Sequence, residues 1–324
     1  MITLGIESTA HTLGVAVVKD KHILSNEKSS YTTASGGMIP VKLVEHHLEQ
    51  FSNVLDRALA KANIAIDDVD VIAFSQAPGI GHALRIGATL AKSISLVYKK
   101  PLMGVNHCIA HLEIGRHFAK AKDPVLLYAS GANTQIIAYD AGKYRVFGET
   151  LDIGIGNFLD SFGRYLELGF PAGPKIEELA KKSKKYIELP YAVKGMDVSF
   201  TGILTNLSQK IAHHKKEDLC FSAQETVFAM LIEVTERAMA HCNKNELVLG
   251  GGVACNKRLQ EMASLMCKER NAVCFTPENQ FLVDNAAMIA LTGEIMHRAG
   301  NKTTLKDAGI KPYERTDDVK VNWR

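Results

Sequence analysis

Short runs rich in apolar and β-branched residues open the chain, and small polar residues break them. "ITLGIESTAHTLGVAVV" (2–18) reads as two strands around a small polar turn, and "KDKHIL" leads into a third. Longer stretches then carry Leu and Ile at helical spacing and alternate with short runs of strand character. The order is a helix over about 41–62, a strand over 69–75, a helix over 83–98, a strand over 101–105 and a helix opening at His107. The same plan returns later. "PVLLYASGANTQIIAY" (124–139) is again strand, small polar turn, strand, and "DAGKYRV" leads on to another. A helix over 222–242, a strand over 246–250, a helix over 256–269, a strand over 272–276 and a helix from about 284 complete the repeat. The pattern predicts an α/β protein of two lobes with like topology, each led by a β-hairpin, facing each other across a cleft. The lobes are expected at 1–122 and 123–299, with an insertion at about 151–220 in the second and a tail from about 300 joining the first.

Composition narrows the class. A chain of 324 residues is long for one hydrophobic core, which agrees with two lobes. Hydrophobic content of 46% and charged content of 23% describe a folded protein, not a disordered one. No apolar run approaches the roughly 20 residues of a membrane span, and "MITLGIESTA" lacks the basic start of a signal peptide. Cysteines 108, 220, 242, 255, 267 and 274 are scattered without a C-x-x-C pair, so reduced thiols in a cytoplasmic protein are expected. A net charge of +3 is too mild to declare a nucleic-acid binder. "KKSKK" (181–185) and "HHKK" (213–216) suit phosphate contacts, and suit a solvated face equally.

"GVNHCIAHLEIGRH" (104–117) places His107 and His111 four apart at the opening of a helix, so both imidazoles can share one face. That spacing suits two ligands of one ion and suits two ordinary histidines as well. The duplication adds a third group. Asp284, in "FLVDNAAMIA", opens the last helix of the second repeat as His107 opens the last helix of the first. In α/β units ligands collect at strand carboxyl ends beside helix N-termini. Two neutral imidazoles and a carboxylate converging on a cleft suit iron or zinc with open positions for substrate.

Three small-residue loops point to a nucleotide in the same cleft. "VLGGGVACNKRL" (248–259) runs from strand through triple glycine into a helix, with Asn256 either its cap or a ligand contact. "ASGANTQ" (129–135) and "LDIGIGN" (151–157) are turns able to present N–H groups to phosphate oxygens. No Walker A sequence is present. Asp160, on a helix, and Glu177, after a Pro-Ala-Gly-Pro turn, are acceptors for ribose hydroxyls or plain surface charges.

Taken in order, "VNHCIAHLEIGRH", "ASGANTQIIAY", "GNFLDSFGR", "GFPAGPKIE", "MDVSFTGIL", "GGVACNKRLQEM" and "VDNAAMIA" resemble the universal tRNA threonylcarbamoyladenosine synthase family. The likeness is specifically to the archaeal and eukaryotic type of catalytic subunit of the KEOPS complex, and it runs over essentially the whole chain. The resemblance implies the duplicated two-lobe fold of actin, Hsp70 and sugar kinases. It implies an acyltransferase that moves threonylcarbamate from threonylcarbamoyl-AMP to the exocyclic amine of the adenosine 3′ of the anticodon, in tRNAs reading A-starting codons. On this likeness His107, His111 and Asp284 fall on metal positions, with Tyr128 a further metal or substrate contact. Tyr128, Ala129, Ser130, Gly131 and Ala132 become a binding segment, and Asp160, Gly173, Glu177 and Asn256 fall on nucleotide positions. One divalent metal is implied, iron before zinc, with an adenine nucleotide as ligand and magnesium accompanying ATP. The implied partners are tRNA, a small atypical protein kinase (fused at the C-terminus in some archaea), a dimerising subunit and a kinase-binding subunit. His11 stands where relatives carry an acid, and Ala132 and Ala172 where they carry glycine. No Ser or Cys stands out as an activated nucleophile.

Two rival readings remain at this level. The family once carried the label of an O-sialoglycoprotein endopeptidase, but a His-Glu-x-x-His protease needs a glutamate directly after the first histidine, and Cys108 stands there. An ATP-binding or ATP-hydrolysing scaffold in a larger assembly is the other, since one fold hosts many functions.

Overall fold

The computed structural model describes residues 1–33 and 38–324. The first repeat opens with strands β1 (Ile2–Glu7), β2 (Thr12–Lys19) and β3 (His22–Ser30), and continues through helix α1 (Pro40–Ala62), β4 (Val71–Ala77), α2 (Gly81–Tyr98), β5 (Leu102–Asn106) and α3 (His107–Ala119). The second opens with β6 (Val125–Ala129), β7 (Thr134–Asp140) and β8 (Lys143–Glu149). An insertion follows, with α4 (Ile155–Tyr165), α5 (Gly173–Ala180), the small hairpin β9 (Val193–Lys194) and β10 (Asp197–Val198), and α6 (Thr201–Lys210). The repeat then closes through α7 (Lys216–His241), β11 (Glu246–Gly250), α8 (Lys257–Glu269), β12 (Val273–Phe275), the short α9 (Asn279–Leu282) and α10 (Ala286–Arg298). The two large sheets run β3-β2-β1-β4-β5 and β8-β7-β6-β11-β12, the same order in each lobe. The first three strands pair antiparallel and the last two add in parallel. The duplicated two-lobe architecture expected from the pattern is therefore present strand for strand.

Alternation along the strands decides which helix covers which face. Leu4, Ile6, Leu13, Val15, Val17, Ile72 and Phe74 form one core with Phe51, Val54 and Ala58 of α1 and Ala88 and Ala91 of α2. The intervening positions of the same strands, Ala16, Val71 and Ala73, face the other way and pack against Ala286, Met288 and Ile289 of α10. On the second sheet Leu126, Tyr128, Ile137 and Val248 pack against Cys108, Ile109 and Leu112 of α3. The last helix of each repeat thus lies on the sheet of the other lobe. A division of the chain at residue 122 does not describe this packing, because periodicity reports which face of a helix is apolar and not which sheet receives it. The exchange brings α3 and α10 into contact with each other and seats both helix N-termini between the lobes.

Two further details differ from the sequence expectation. Helix α7 starts at Lys216, not 222, because Leu219 and Cys220 are buried and continue its apolar face. The tail begins on the first lobe, where Thr303 pairs with Leu102 and Gln76 Nε2 donates to the carbonyls of Asp307 and Gly309 at 2.7 Å each. It then crosses to the second lobe: Arg315 pairs with Glu149 at 3.0 Å, and Arg324 lies 4.5 Å over the ring of Tyr139. The tail is a strap across both lobes. No helix among the described residues is long and apolar enough to cross a membrane.

Candidate active site

Strand β5 delivers the chain into the cleft, and Asn106 starts α3 there by accepting from the amides of Cys108 and Ile109. His107 is therefore the first residue of the helix and His111 lies one turn on, on the same face. Asn285 caps α10 in the same way, accepting from Met288 N at 3.0 Å. Asp284 precedes that cap, whereas His107 follows its own, so Asp284 lies in the loop after α9 and does not open α10. The expectation was off by two positions, and the contact between α3 and α10 still brings the groups together. Asp284 Oδ1 lies 3.3 Å from His107 Nε2 and 3.5 Å from His111 Nε2. One ligand atom from each of the three falls within 4.8 Å of the others. Tyr128, at the end of β6, completes the wall, its hydroxyl 3.0 Å from His107 Nε2.

Glu7, which sequence reasoning passed over, holds this arrangement from behind. It ends β1 fully buried and sits 3.0 Å from His107 Nδ1, while Thr9 donates to its other oxygen from the amide at 2.6 Å and from the hydroxyl at 2.5 Å. A carboxylate on the far nitrogen of an imidazole fixes the ring and leaves its other nitrogen for a ligand. The available signal was an acid ending an otherwise apolar strand. Burial opposes charge on His107, yet Tyr128, Glu7 and Asp284 outweigh it and hold its pKa well above the ordinary imidazole value. Burial keeps His111 lower than usual. Asp284 is held well below the carboxylate range, against its burial, by the two histidines.

Both ring nitrogens of His111 are buried and have no hydrogen-bond partner among the described residues. Orphaned buried polar atoms are rare in native folds and call for an explanation. Of the two nitrogens, Nε2 faces Asp284, and a set of two imidazoles and a carboxylate is one that iron or zinc would fit.

The three small-residue loops meet at one place. A Cβ on Gly154 would lie 2.4 Å from the Gly131 carbonyl, one on Gly156 would lie 2.6 Å from Gly131 Cα, and one on Gly251, whose φ is +90°, would lie 2.3 Å from the Ala129 carbonyl. Glycine is required because backbone packs directly on backbone. The amides of Gly156 and Asn157 are spent on the carbonyls of Ser130 and Gly131 at 2.9 Å, so "LDIGIGN" supports the 129–132 turn and does not offer those N–H groups to a phosphate. Beside this turn lies a floor made by α4, α5 and α8. Asp160 accepts from Ala172 N at 2.8 Å, next to Gly173, and burial raises its pKa. Glu177 accepts from Lys257 N at 3.2 Å. Asn256 caps α8 by accepting from Arg258 N and Leu259 N, and donates to Gln224 at 2.9 Å. Asp160, Gly173, Glu177 and Asn256 are thus neighbours, although far apart in sequence. Across the cleft mouth Thr33 bridges to Phe170, and His11 sets the edge of its ring against Phe170 at 5.8 Å between centroids.

A family model described as TsaD, tRNA N6-adenosine threonylcarbamoyltransferase, matches residues 22–291. The chain belongs to this family. The tRNA N6-adenosine threonylcarbamoyltransferase of Thermococcus kodakarensis is 54% identical over 325 residues, covering 100% of both chains. A probable bifunctional tRNA threonylcarbamoyladenosine biosynthesis protein of Methanosarcina barkeri is 50% identical over 323 residues, covering 99% of this chain and 59% of its own. At the level of fold alone, a crystal structure of full-length HypF in the phosphate- and nucleotide-bound form aligns with a TM-score of 0.61 at 13% identity, over 91% of this chain and 46% of its own. That structure shares the actin-like fold. The threonylcarbamoyltransferase family membership makes this chain an acyltransferase acting on N6 of adenosine in tRNA.

Proposed function

We propose that the cleft catalyses transfer of threonylcarbamate from threonylcarbamoyl-AMP to the adenosine 3′ of the anticodon in tRNAs reading A-starting codons. His107, His111 and Asp284, with Tyr128 beside them, hold one divalent cation, iron before zinc. The adenine nucleotide lies over the floor of Asp160, Gly173, Glu177 and Asn256, with its phosphate toward the turn Ala129–Ala132. The observation that carries this reading is His111, whose two nitrogens are buried without a partner while Nε2 faces Asp284. A cation held by His107, His111 and Asp284 would supply Lewis-acid charge in the cleft.

The residues of the chain do the positioning. Glu7 aims His107, the 129–132 turn shapes the space for the phosphate, and Asp160 and Glu177 offer acceptors for ribose hydroxyls. In the transfer a C–N bond forms from the adenosine amine to the carbamoyl carbon, the C–O bond to phosphate breaks with its electron pair leaving on AMP, and the amine's proton passes to solvent water. Burial pushes the Tyr128 phenol up, so it carries its proton beside His107. Cys108, the thiol nearest the histidines, is pushed up to about 11 by burial and is no activated nucleophile.

A peptidase reading fails on Glu113. It is fully buried and its oxygens are taken by Arg116 at 2.7 Å, Trp323 at 3.0 Å and Tyr144, so it cannot serve as a general base. The partners are tRNA and a KEOPS-type assembly with a dimerising and a kinase-binding subunit. The greater length and bifunctional name of the Methanosarcina relative support a second activity that works beside this chain, and a small atypical protein kinase is the partner proposed for it. The compartment is the cytoplasm. The test supplies the chain, its partner subunits and the adenylate-forming enzyme with labelled threonine, bicarbonate, ATP and unmodified tRNA. Label is expected in tRNA; ATP turnover without label in tRNA would favour a scaffold.

A further inference from the structure

The lysine runs at 181–185 and 213–216 are separate in sequence and adjacent in the fold. Ser183 donates to Asp218 at 2.7 Å, Ile187 N donates to Ser222 at 2.7 Å, and the Tyr186 hydroxyl lies 2.9 Å from Thr226 Oγ1. These bonds lay the segment after α5 along the first turns of α7. Lys216, the first residue of α7, donates to the carbonyl of Leu166 at 3.2 Å and so draws in the end of α4 with Tyr165. Lys181, Lys182, Lys184, Lys185, Lys215 and Lys216 are all exposed, as are Tyr165 at 49% and Tyr186 at 51%. Of the six lysines only Lys181 makes an ion pair among the described residues, with Glu177 and Glu178.

The two runs hold six lysines and no acid within them, flanked by Glu177 and Glu178 on one side and Glu217 and Asp218 on the other, so the face stays net positive. The N-terminal end of a 26-residue helix adds its partial positive charge at the same place. The face also leads into the cleft: Lys181 lies one turn after Glu177, 3.4 Å away, at the edge of the floor described above.

We propose that residues 181–186 and 213–216, with Tyr165, form the track on which this chain holds the tRNA backbone. The proposal rests on the tRNA-modifying reading and deepens it. Flexible lysines contact phosphates as point charges without reading sequence, and the exposed tyrosine faces suit stacking on unpaired bases of a loop. An enzyme acting on many tRNAs needs that kind of grip beside its cleft.

The test titrates the full chain with an anticodon-stem RNA at several salt concentrations, comparing wild type, Lys182→Gln/Lys184→Gln/Lys185→Gln and the corresponding triple arginine variant. Each phosphate contact contributes roughly 0.9 to the slope of log affinity against log salt. The glutamine variant is expected to lower that slope by about 2.7 and the arginine variant to restore it, with AMP binding unchanged in both. A glutamine variant with the wild-type slope and affinity overturns the proposal. So does one that keeps tRNA binding and loses assembly with the partner subunits, which would make the face a protein interface. The transfer assay separates this failure from that of the functional reading: a wild type that still labels tRNA leaves that reading intact, and one that labels none ends both.

Discussion

The seat of α10 on the first sheet sets the position of Asp284, and Gly5→Ala tests this. Gly5 lies on β1 beneath that helix. A Cβ there would fall 2.5 Å from the Ala286 carbonyl, 2.6 Å from Ala290 N and 2.8 Å from Ala290 Cβ. Two of these atoms are backbone, so no side-chain rotation relieves the clash. The far side of the seam is equally tight, because a Cβ on Gly293 would fall 2.4 Å from Ala73 Cβ. Ordinary contact begins about 1 Å further out, so α10 must recede by that amount, and overpacking of this kind costs about 1–3 kcal/mol. The same displacement carries Asp284 away from imidazoles that it now meets at 3.3 and 3.5 Å. Two effects are therefore expected together: a lower urea midpoint, and roughly 10–100-fold weaker iron or zinc binding, the usual scale when the support of a metal ligand is disturbed. Gly202→Ala, on α6 with open space around it, is the control and should be neutral or slightly stabilising. Equilibrium denaturation and metal titration of both variants decide the matter. Unchanged stability and unchanged metal affinity in Gly5→Ala would mean that the contact at Gly5 does not set the seat of α10 or the position of Asp284.

Other consequences follow from the same structure. Trp323→Phe removes the indole donor from buried Glu113 and should cost about 1–2 kcal/mol in chemical denaturation, by loosening the strap over α3. Gly251→Ala forces a side chain onto a φ of +90° against the Ala129 carbonyl and should weaken AMP binding about tenfold in calorimetry, the equivalent of 1–3 kcal/mol of local strain. His47, fully buried and 3.0 Å from the Ala10 carbonyl, has its pKa pushed down to about 4 by burial. The folded state therefore resists protonation that the unfolded chain accepts near 6.5. Its contribution is complete above pH 6.5 and is lost as the pH falls toward 4, by at most about 3 kcal/mol. His47→Gln should flatten that part of the curve of stability against pH.

Much of this was legible because the local signals were strong. The alternation of strand and helix runs appears twice, and the structure repeats it with identical strand order. His107 and His111 were visible as a pair because helical spacing is a local property, and Asp284 because duplication put it in a comparable place. Other features were hidden for physical reasons. The seats of α10 and α3 on the sheets of the opposite lobes depend on small residues, Gly5, Ala73, Ala286 and Gly293 for α10 and Gly115 against Val248 for α3, that permit close approach and leave no mark in a hydrophobic pattern. Glu7 and Glu113 are buried acids whose partners lie about 100 and 210 residues away, at His107 and Trp323. The convergence of the glycine loops at Ala129–Ala132 was likewise beyond reach, since a glycine turn does not announce what it packs against.

The histidine pair and Asp284 are expected to bind a cation that transfer to tRNA requires. The direct measurement is metal content and threonylcarbamoyl transfer in parallel, for wild type, His111→Ala and Asp284→Ala, with partner subunits and the adenylate-forming enzyme supplied. The account predicts about one iron or zinc per wild-type chain, and in both variants loss of that metal together with loss of label in tRNA. Variants that lack metal and label tRNA as fast as wild type would contradict it.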